Sequence, residues 1–304
     1  MAVPGVFPPA LVIEVKAIAC QLPRELGIPL SRLSTAELQR EVINRGIAAE
    51  ISGTTIWRWL SQDAIKPWRY RSWIFPRDPE FPQKAGRVLD LYEGFWDNQP
   101  LGPKDFVISA DEKTSIQARK RKHGSIGPAP HKAILVEHEY ERKGAYAYLA
   151  ALDIRRAKIF GRCEEKSGIA PFDRLVNQVM SQEPYASAKR VFWVMDNGSS
   201  HRGEKSVKRL QGQWPTIVPV HLPIHASWLN QIEIYFSIVQ RKVLTPVDFV
   251  SLTEVEERLL CFQERYQEVA KPFDWKFTRT DLKHLCEKLS LTQAADKGLR
   301  PAIC

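Results

Sequence analysis

The stretch Arg190–His201, which reads RVFWVMDNGSSH, constrains the fold more than any other part of the sequence. Its five consecutive apolar residues, Val191–Met195, include β-branched and aromatic side chains, which is typical of a short strand buried on both faces of a sheet. Asp196 follows at once, and the residues Asn197–Ser200 form a turn sequence. A carboxylate in this position is either a turn cap or a functional group held by a rigid scaffold, and this stretch alone favours neither.

Two other stretches place acidic residues in comparable positions. Phe106–Ala110 is a second apolar run that ends in an acid, Asp111. Ser227–Leu244 predicts a helix because its apolar residues recur at three- and four-residue steps. The polar face of that helix carries Glu233 beside other polar residues, including Asn230. Three acids are therefore expected at strand ends or on a polar helix face.

Length and composition limit the class of protein. A chain of 304 residues is long enough for two domains, and its net charge of +9, with a pI near 9.3, favours a polyanionic partner, nucleic acid before membrane. The five cysteines lie far apart without zinc-ligand spacing, which predicts free thiols in a reducing cytosol. No apolar run reaches membrane-spanning length, so we expect a cytoplasmic, nucleoid-associated protein.

The N-terminal part predicts a helix-turn-helix unit. Helices are expected at Ala10–Gln21, at residues 35–45 after a capping box, and at Thr54–Gln62, with a tight last turn. In such a unit the last helix enters the major groove of double-stranded DNA. The expected base contacts are Thr54, Thr55, Arg58 and Gln62, and the expected phosphate contacts are Lys66, Arg69 and Arg71. The alternative is a three-helix packing domain followed by a solvated basic loop.

A basic stretch without acids, residues 113–132, follows Asp111 directly. Because it adjoins a candidate catalytic acid, we expect it to bind the phosphate backbone of DNA, although screened surface charge would explain it equally well. The cations assigned to DNA binding are Lys113, Arg119, Lys120, Arg121 and Lys122.

The second half of the chain alternates strands and helices. Three β-rich runs, His131–Tyr140, Gly144–Ile154 and Lys158–Glu164, predict an antiparallel meander with a turn at residues 141–143. The helices and strands that follow predict a mixed α/β sheet. The expected domains are a helix-turn-helix domain at 1–75, a linker and connecting helix at 76–103, a catalytic domain at 104–245 and a helical extension at 246–304.

Three gathered carboxylates indicate metal chemistry. Asp111, Asp196 and Glu233 offer hard oxygen ligands, which suit Mg²⁺, with Mn²⁺ as a substitute. Two such ions can activate an attacking oxygen and stabilise the leaving oxygen of a phosphodiester. Without a cation, close carboxylates repel each other, so the cluster is best explained by bound metal.

The segments ADEKTSIQ (Ala110–Gln117), VMDNGSSH (Val194–His201) and HASWLNQIEIYFSIVQRKVL (His225–Leu244) resemble the three acidic motifs of bacterial insertion-sequence transposases related to Tc/mariner elements, the IS-six-thirty branch. TIWRWL (Thr55–Leu60) and KPWRYRSWI (Lys66–Ile74) extend the similarity to the N-terminal part. By residue, Asp111, Asp196 and Glu233 correspond to the DDE triad of that family.

The resemblance implies a ribonuclease-H-like core, Mg²⁺ dependence, cleavage at terminal inverted repeats and strand transfer into target DNA, with a homodimer on paired ends. Members of the group often carry two helix-turn-helix units, whereas one fits before residue 75, which predicts a shortened copy that cuts but finds its ends poorly. Four polar residues near the triad, Asn197, His201, His225 and Asn230, are expected to orient water or phosphate, or to bond the local backbone.

Two other functions use the same residues. A catalytically inactive remnant would bind element ends and repress transposition, and metal dependence separates it from an active enzyme. A ribonuclease-H-like enzyme acting on RNA–DNA hybrids would use the same acids but gives no reason for the N-terminal unit.

Overall fold

The computed structural model describes residues 7–70, 76–246 and 248–298, with side chains up to residue 290. The chain divides into two compact units, Met1–Ile74 and Phe75–Cys304. The predicted DNA contact Arg71 lies outside the described residues. Within the described part, no helix is both long and apolar enough to cross a bilayer. The four cysteines described there, Cys20, Cys163, Cys261 and Cys286, are free thiols, as expected.

The first unit contains three α-helices, α1 (Pro9–Ala19), α2 (Thr35–Asn44) and α3 (Gly53–Gln62). The predicted capping box opens α2, because the Glu37 backbone N–H donates to Ser34 Oγ (3.3 Å) and the Ser34 N–H donates to the Glu37 carboxylate (2.6 Å). Val15, Leu38 and Ile56 meet in a core that holds the three helices together. The connection between α2 and α3 is longer than the three or four residues of a helix-turn-helix, so the expected tight turn is wrong.

The second unit is built on a five-stranded mixed sheet. Its elements are α4 (Phe81–Glu93), β1 (Phe95–Trp96), β2 (Gln99–Pro100), β3 (Asp105–Lys120), β4 (Glu141–Asp153), β5 (Lys158–Glu164), α5 (Ile169–Met180), β6 (Arg190–Met195), α6 (Gly203–Gln213), β7 (Ile217–His221), α7 (Ile232–Lys242), α8 (Leu252–Gln267) and α9 (Arg279–Gly298). The strand order is β5-β4-β3-β6-β7, with β3, β6 and β7 parallel and the pairs β3–β4 and β4–β5 antiparallel. The predicted α/β class with a mixed sheet is confirmed.

The strand β6 is buried on both faces, as its apolar run predicts. Phe192 and Val194 pack on the face covered by α4, α7, α8 and α9, whereas Val191, Trp193 and Met195 pack on the face covered by α5 and α6. This two-sided burial explains why the run is apolar throughout and does not alternate.

The strand β3 is much longer than the predicted run of five residues, because it continues to Lys120 through the start of the basic stretch. Ile116 and Ala118 are buried there, so the strand periodicity persists among the charges. The predicted strand at His131–Tyr140 is wrong. Residues 121–140 form a long loop, here called the β3–β4 loop, which contains only isolated β-bridges. The predicted turn at residues 141–143 is also wrong, because these residues lie inside β4. Glycines and prolines in the β3–β4 loop favour irregular backbone.

The helix predicted at Ser227–Leu244 is interrupted. A 3₁₀ turn, Ser227–Leu229, is separated from α7 by Asn230 and Gln231, and the backbone of Asn230 has an extended ψ of 112°. The Asn230 side chain bonds to β3 at this point, so tertiary contacts override the helical pattern.

Candidate active site

The register of the sheet places two of the predicted acids side by side. In the parallel pair β3–β6, Ser109 is the partner of Val194. Asp111 and Asp196 each lie two residues farther along, so both side chains emerge at the same level of neighbouring strands. This is the edge at which parallel strands commonly build sites.

Asp111 is buried, with 9% of its surface exposed. One carboxylate oxygen accepts a hydrogen bond from the Glu112 backbone N–H at 2.8 Å, and the other accepts one from Asn230 Nδ2 at 3.2 Å. Burial, followed by the negative charges of Asp196 and Glu233, raises the pKa of Asp111 to about 7. The carboxyl is therefore held where its charge is costly without a cation.

Asp196 has the opposite surroundings. Its Oδ1 accepts His201 Nε2 at 2.7 Å and the Gly198 backbone N–H at 2.7 Å, and the hydrogen bond from His201 lowers the pKa of this carboxyl despite partial burial. His201 is fully buried and packs on the Phe172 ring with centroids 4.7 Å apart. Because an ionised carboxylate only accepts, His201 Nε2 carries the hydrogen, and Nδ1 lies 2.9 Å from Ser200 Oγ.

Glu233 lies in the first turn of α7 and is partly buried. Burial raises its pKa, Lys113 lowers it in part and the charge of Asp196 raises it. The three predicted acids therefore interact electrostatically, and the structure brings them to one region.

A buried hydrogen-bond network fixes α7 against β3. Ser109 Oγ donates to Asn230 Oδ1 at 2.5 Å and accepts the Ile232 backbone N–H at 2.8 Å. Asn230 Nδ2 also donates to the Ala110 carbonyl at 3.0 Å. Sequence reasoning missed Ser109, although a hydroxyl inside an otherwise apolar run two residues before Asp111 was the available signal.

Glu112 belongs to the surroundings of the site, although sequence reasoning left it out. It follows Asp111 on a strand and so turns to the other face of the sheet, but the charges of His201 and Asp196 act on it there. Burial raises its pKa, and its Oε2 is buried without a hydrogen-bond partner in the described part of the chain. A buried carboxylate oxygen without a partner is costly, and a cation or water would relieve it.

The three carboxylates are chemically suitable ligands for a divalent cation. Hard carboxylate oxygens are the ligands that Mg²⁺ prefers. Burial and, after it, the neighbouring negative charges raise the pKa of Asp111, and a cation would offset both by stabilising the ionised carboxyl. Within the described residues, however, no three His, Cys, Asp or Glu side chains already converge as a metal site.

Of the four residues predicted to support the triad, only two contact its acids. Asn230 lies in the network beside Asp111, and His201 holds Asp196. Asn197 Nδ2 donates to the Leu222 carbonyl at 2.7 Å, which is a local backbone role. His225 is exposed, with a backbone φ of 61°.

The predicted base-reading residues of α3 are mostly available. Thr54, Arg58 and Gln62 are exposed, whereas Thr55 is partly buried and its hydroxyl lies 2.9 Å from the N-cap Ser52 Oγ. Lys66 and Arg69 are also exposed. Trp57, which sequence reasoning did not select, is 53% exposed on this helix.

The basic residues after Asp111 are not equivalent. Arg119, Lys120 and Lys122 are exposed, and Lys113 is partly buried near Glu233. Arg121 forms an ion pair with Asp248, and its Nε donates to the Glu137 carbonyl at 2.5 Å. These bonds connect the β3–β4 loop to the chain after α7, so Arg121 has a structural role.

Residues 107–255, which include all three acids, match the family model described as DDE superfamily endonuclease. No curated protein matches the sequence. The structure is similar to the Mos1 mariner paired-end complexes with Mn and with Mg, each with a TM-score of 0.54 and 14% identity over 97% of this chain and 82% of that chain.

The Mos1 strand transfer complex gives a TM-score of 0.52 with 11% identity, over 97% of this chain and 81% of that chain. Likeness at such low identity shows a shared fold, and the predicted ribonuclease-H-like class is confirmed. Over residues 107–255 the chain is thus similar to the DDE superfamily endonucleases.

Proposed function

We propose that this chain is a DNA transposase that cuts phosphodiester bonds at terminal inverted repeats and transfers the freed 3′-hydroxyl ends into target DNA. The observation that carries the proposal is the placement of Asp111 and Asp196 at one level of neighbouring parallel strands, with Glu233 close enough to interact with both. We assign the chain to the IS-six-thirty branch on its three acidic motifs.

Asp111, Asp196 and Glu233 would hold Mg²⁺, or Mn²⁺ as a substitute. Bound divalent ions supply charge neutralisation at the attacking and leaving oxygens of an in-line displacement. His201 and Gly198 donate to Oδ1 of Asp196, so Oδ2 would be the oxygen that binds the cation. Asn230 fixes the orientation of Asp111, and Lys113 brings a positive charge beside Glu233 where a phosphate would lie.

Double-stranded DNA is the proposed partner. The exposed side chains of α3 and of the segment after it provide base and phosphate contacts, and the exposed Lys120 and Lys122 provide further phosphate contacts. Joining two element ends in one reaction needs two active sites, which supports a homodimer on paired ends. The proposed domains are 1–75 for end recognition, 76–103 as connection, 104–245 for catalysis and 246–304 as a helical extension.

The test is cleavage of a supercoiled plasmid that carries the inverted repeats flanking the element, in Mg²⁺ and in Mn²⁺. Wild type is compared with Asp196→Ala at equal DNA occupancy, and Asp274→Asn serves as a control because Asp274 is a highly exposed carboxylate outside the site. We expect wild type and the control to cut while Asp196→Ala only binds. If wild type binds the ends but does not cut in either metal, the chain is a DNA-binding remnant that represses transposition.

A further inference from the structure

A polar groove runs between the outer half of β3 and the C-terminal part of α7. We call it the β3–α7 groove. Among its lining residues are Lys113, Ser115, Gln117 and Arg119 of β3, Gln240 of α7 and Thr245.

The groove begins at the candidate active site. Lys113 lies two residues after Asp111 on β3, and its charge acts on the Glu233 carboxyl. On the opposite wall, Glu233, Ser237 and Gln240 follow each other at steps of four and three residues, so they share one face of α7. A chain-like ligand placed at the carboxylates would continue directly into this groove.

The charges and donors of the groove suit a polyanion. Its lining contains two cations, five residues with uncharged polar side chains and no acid. Neither Lys113 nor Arg119 forms an ion pair within the described part of the chain. The Arg119 guanidinium lies over the Tyr140 ring at 4.8 Å, and its Nε donates to Gln117 Oε1 at 3.3 Å, which orients its remaining N–H groups.

The backbone of β3 is irregular along this wall. The register shifts between Lys113 and Ile116, and Ser115 has a φ of 59°, a left-handed conformation that is unusual for serine. As a result, Thr114 and Ser115 are exposed at the groove, where their hydroxyls and the unpaired backbone of the bulge can meet a ligand.

Three apolar residues, Ile116, Leu244 and Phe249, complete the lining, but Ile116 (5% exposed) and Phe249 (2% exposed) are buried. The accessible surface of the groove is therefore mainly polar. Cations in such a groove pair with the phosphates of a single strand, so the backbone is the part of the strand that this groove suits.

We propose that the β3–α7 groove binds one DNA strand, through its phosphate backbone, on the side of the reacting bond that leads away from Asp111 along β3. The inference rests on the proposed function, since it makes the groove the path of a strand that passes the carboxylates. It adds a subsite on α7, through Gln240, that no catalytic argument requires.

The test measures binding of a single-stranded 20-mer and of the matching duplex by fluorescence anisotropy, in EDTA and at several salt concentrations. Arg119→Glu and Gln240→Glu each add an acid to the groove. Lys208→Glu is the control, because it makes the same charge change as Arg119→Glu at a side chain on α6 that is 74% exposed. All three side chains are exposed, and thermal unfolding checks that each variant is folded.

We expect each groove variant to weaken single-strand binding by about tenfold or more, while duplex binding and the control stay within about twofold of wild type. The salt dependence of single-strand binding should fall by about 0.7 in log–log slope when Arg119 loses its phosphate contact. Unchanged single-strand affinity in both variants overturns the proposal, and so does an equal loss for strand and duplex, which would indicate a duplex surface.

The outcome is separable from that of the proposed function, because binding in EDTA needs no cleavage. If wild type does not cut but the groove variants lose strand binding, the transposase proposal fails and the groove remains. If wild type cuts and the variants bind the strand normally, the groove proposal fails alone.

Discussion

Asp111 and Asp196 follow buried strands that lie side by side, yet their carboxylates have opposite surroundings. Asp111 is 9% exposed, and burial with the neighbouring negative charges raises its pKa to about 7. The side chain of Asp196 is 40% exposed, and the hydrogen bond from His201 lowers its pKa. The same local pattern, an apolar run followed by an acid, thus gives one carboxyl that resists ionisation and one that favours it.

This difference indicates a division of roles in cation binding. Asp196 is ionised and oriented before a metal arrives, because His201 and Gly198 hold one of its oxygens. Asp111 becomes fully ionised near neutral pH only when a positive charge compensates it. Binding should therefore release protons near pH 7, as is general for ligands that must lose a proton to bind metal.

The largest expected effect tests whether the two aspartates are equal in catalysis despite this difference. Asp111→Asn and Asp196→Asn should each reduce plasmid cleavage by at least about 10³-fold, because either change removes a negatively charged ligand of the bound metal ions. DNA binding, measured by gel shift, should change by less than about twofold. A variant that keeps cleavage within tenfold of wild type would remove its residue from the triad.

The second effect concerns stability, where the two substitutions should act in opposite directions. The folded state holds the Asp111 proton up to about pH 7, whereas the unfolded chain releases it near 3.8, so stability of the metal-free protein falls as pH rises through this window. The full shift corresponds to at most about 4 kcal/mol. Asp111→Asn should abolish this slope, which urea unfolding between pH 5 and 8 measures.

The contribution of Asp196 to stability should depend on pH in the opposite direction. Its pKa is lowered in the folded state, so the carboxylate stabilises the protein above the unfolded pKa, and this stabilisation is lost as pH falls through the folded pKa. Asp196→Asn should therefore lower stability at pH 7, and the loss should vanish in acid. The same sign of change for both substitutions at pH 8 would contradict the contrast between the two sites.

A third effect tests the network on the Asp111 side. Ser109→Ala leaves the Asn230 oxygen and the Ile232 N–H without a partner in a buried position, which should cost roughly 2 kcal/mol of unfolding free energy. Ser200→Ala is the matched change on the Asp196 side, where one hydroxyl contacts His201 Nδ1. Urea titrations of both variants should show the larger loss for Ser109→Ala, and an equal or smaller loss would refute the stronger role of that network.

The smallest effect concerns His201. His201→Phe keeps an aromatic ring against Phe172 but removes the donor to Asp196, and it should raise the half-saturating Mg²⁺ concentration for cleavage by about tenfold. His201→Gln can place an amide N–H near the position of Nε2 and should recover part of the loss. If the two variants need the same Mg²⁺ concentration as wild type, His201 only fills space.

The features that were predicted correctly are those that depend on the order of residues within a short stretch of sequence. The buried strand before Asp196, the capping box at Ser34 and the polar face of Glu233 follow from residue spacing. The outer half of β3 was missed because charges concealed its alternation, and the break before α7 arises from contacts of Asn230 with a strand some 120 positions earlier.

The surroundings of the site could be predicted only in part. Spacing alone identified the three acids, but the raised pKa of Asp111 depends on which charges the fold brings near it. Likewise, the four-residue turn that returns His201 to Asp196 has no periodic signal. Glu112 was dismissed by strand alternation, which gave its face correctly but not its proximity to His201 on that face.

The most direct test of the account is calorimetric titration of Mn²⁺ into the full chain without DNA, in two buffers of different protonation enthalpy at pH 7. Wild type and the control Asp274→Asn should bind Mn²⁺ with release of protons. Asp111→Asn, Asp196→Asn and Glu233→Gln should each weaken binding by tenfold or more, with proton release lost in Asp111→Asn. Binding that is unchanged in all three variants would show that these carboxylates do not form a shared cation site.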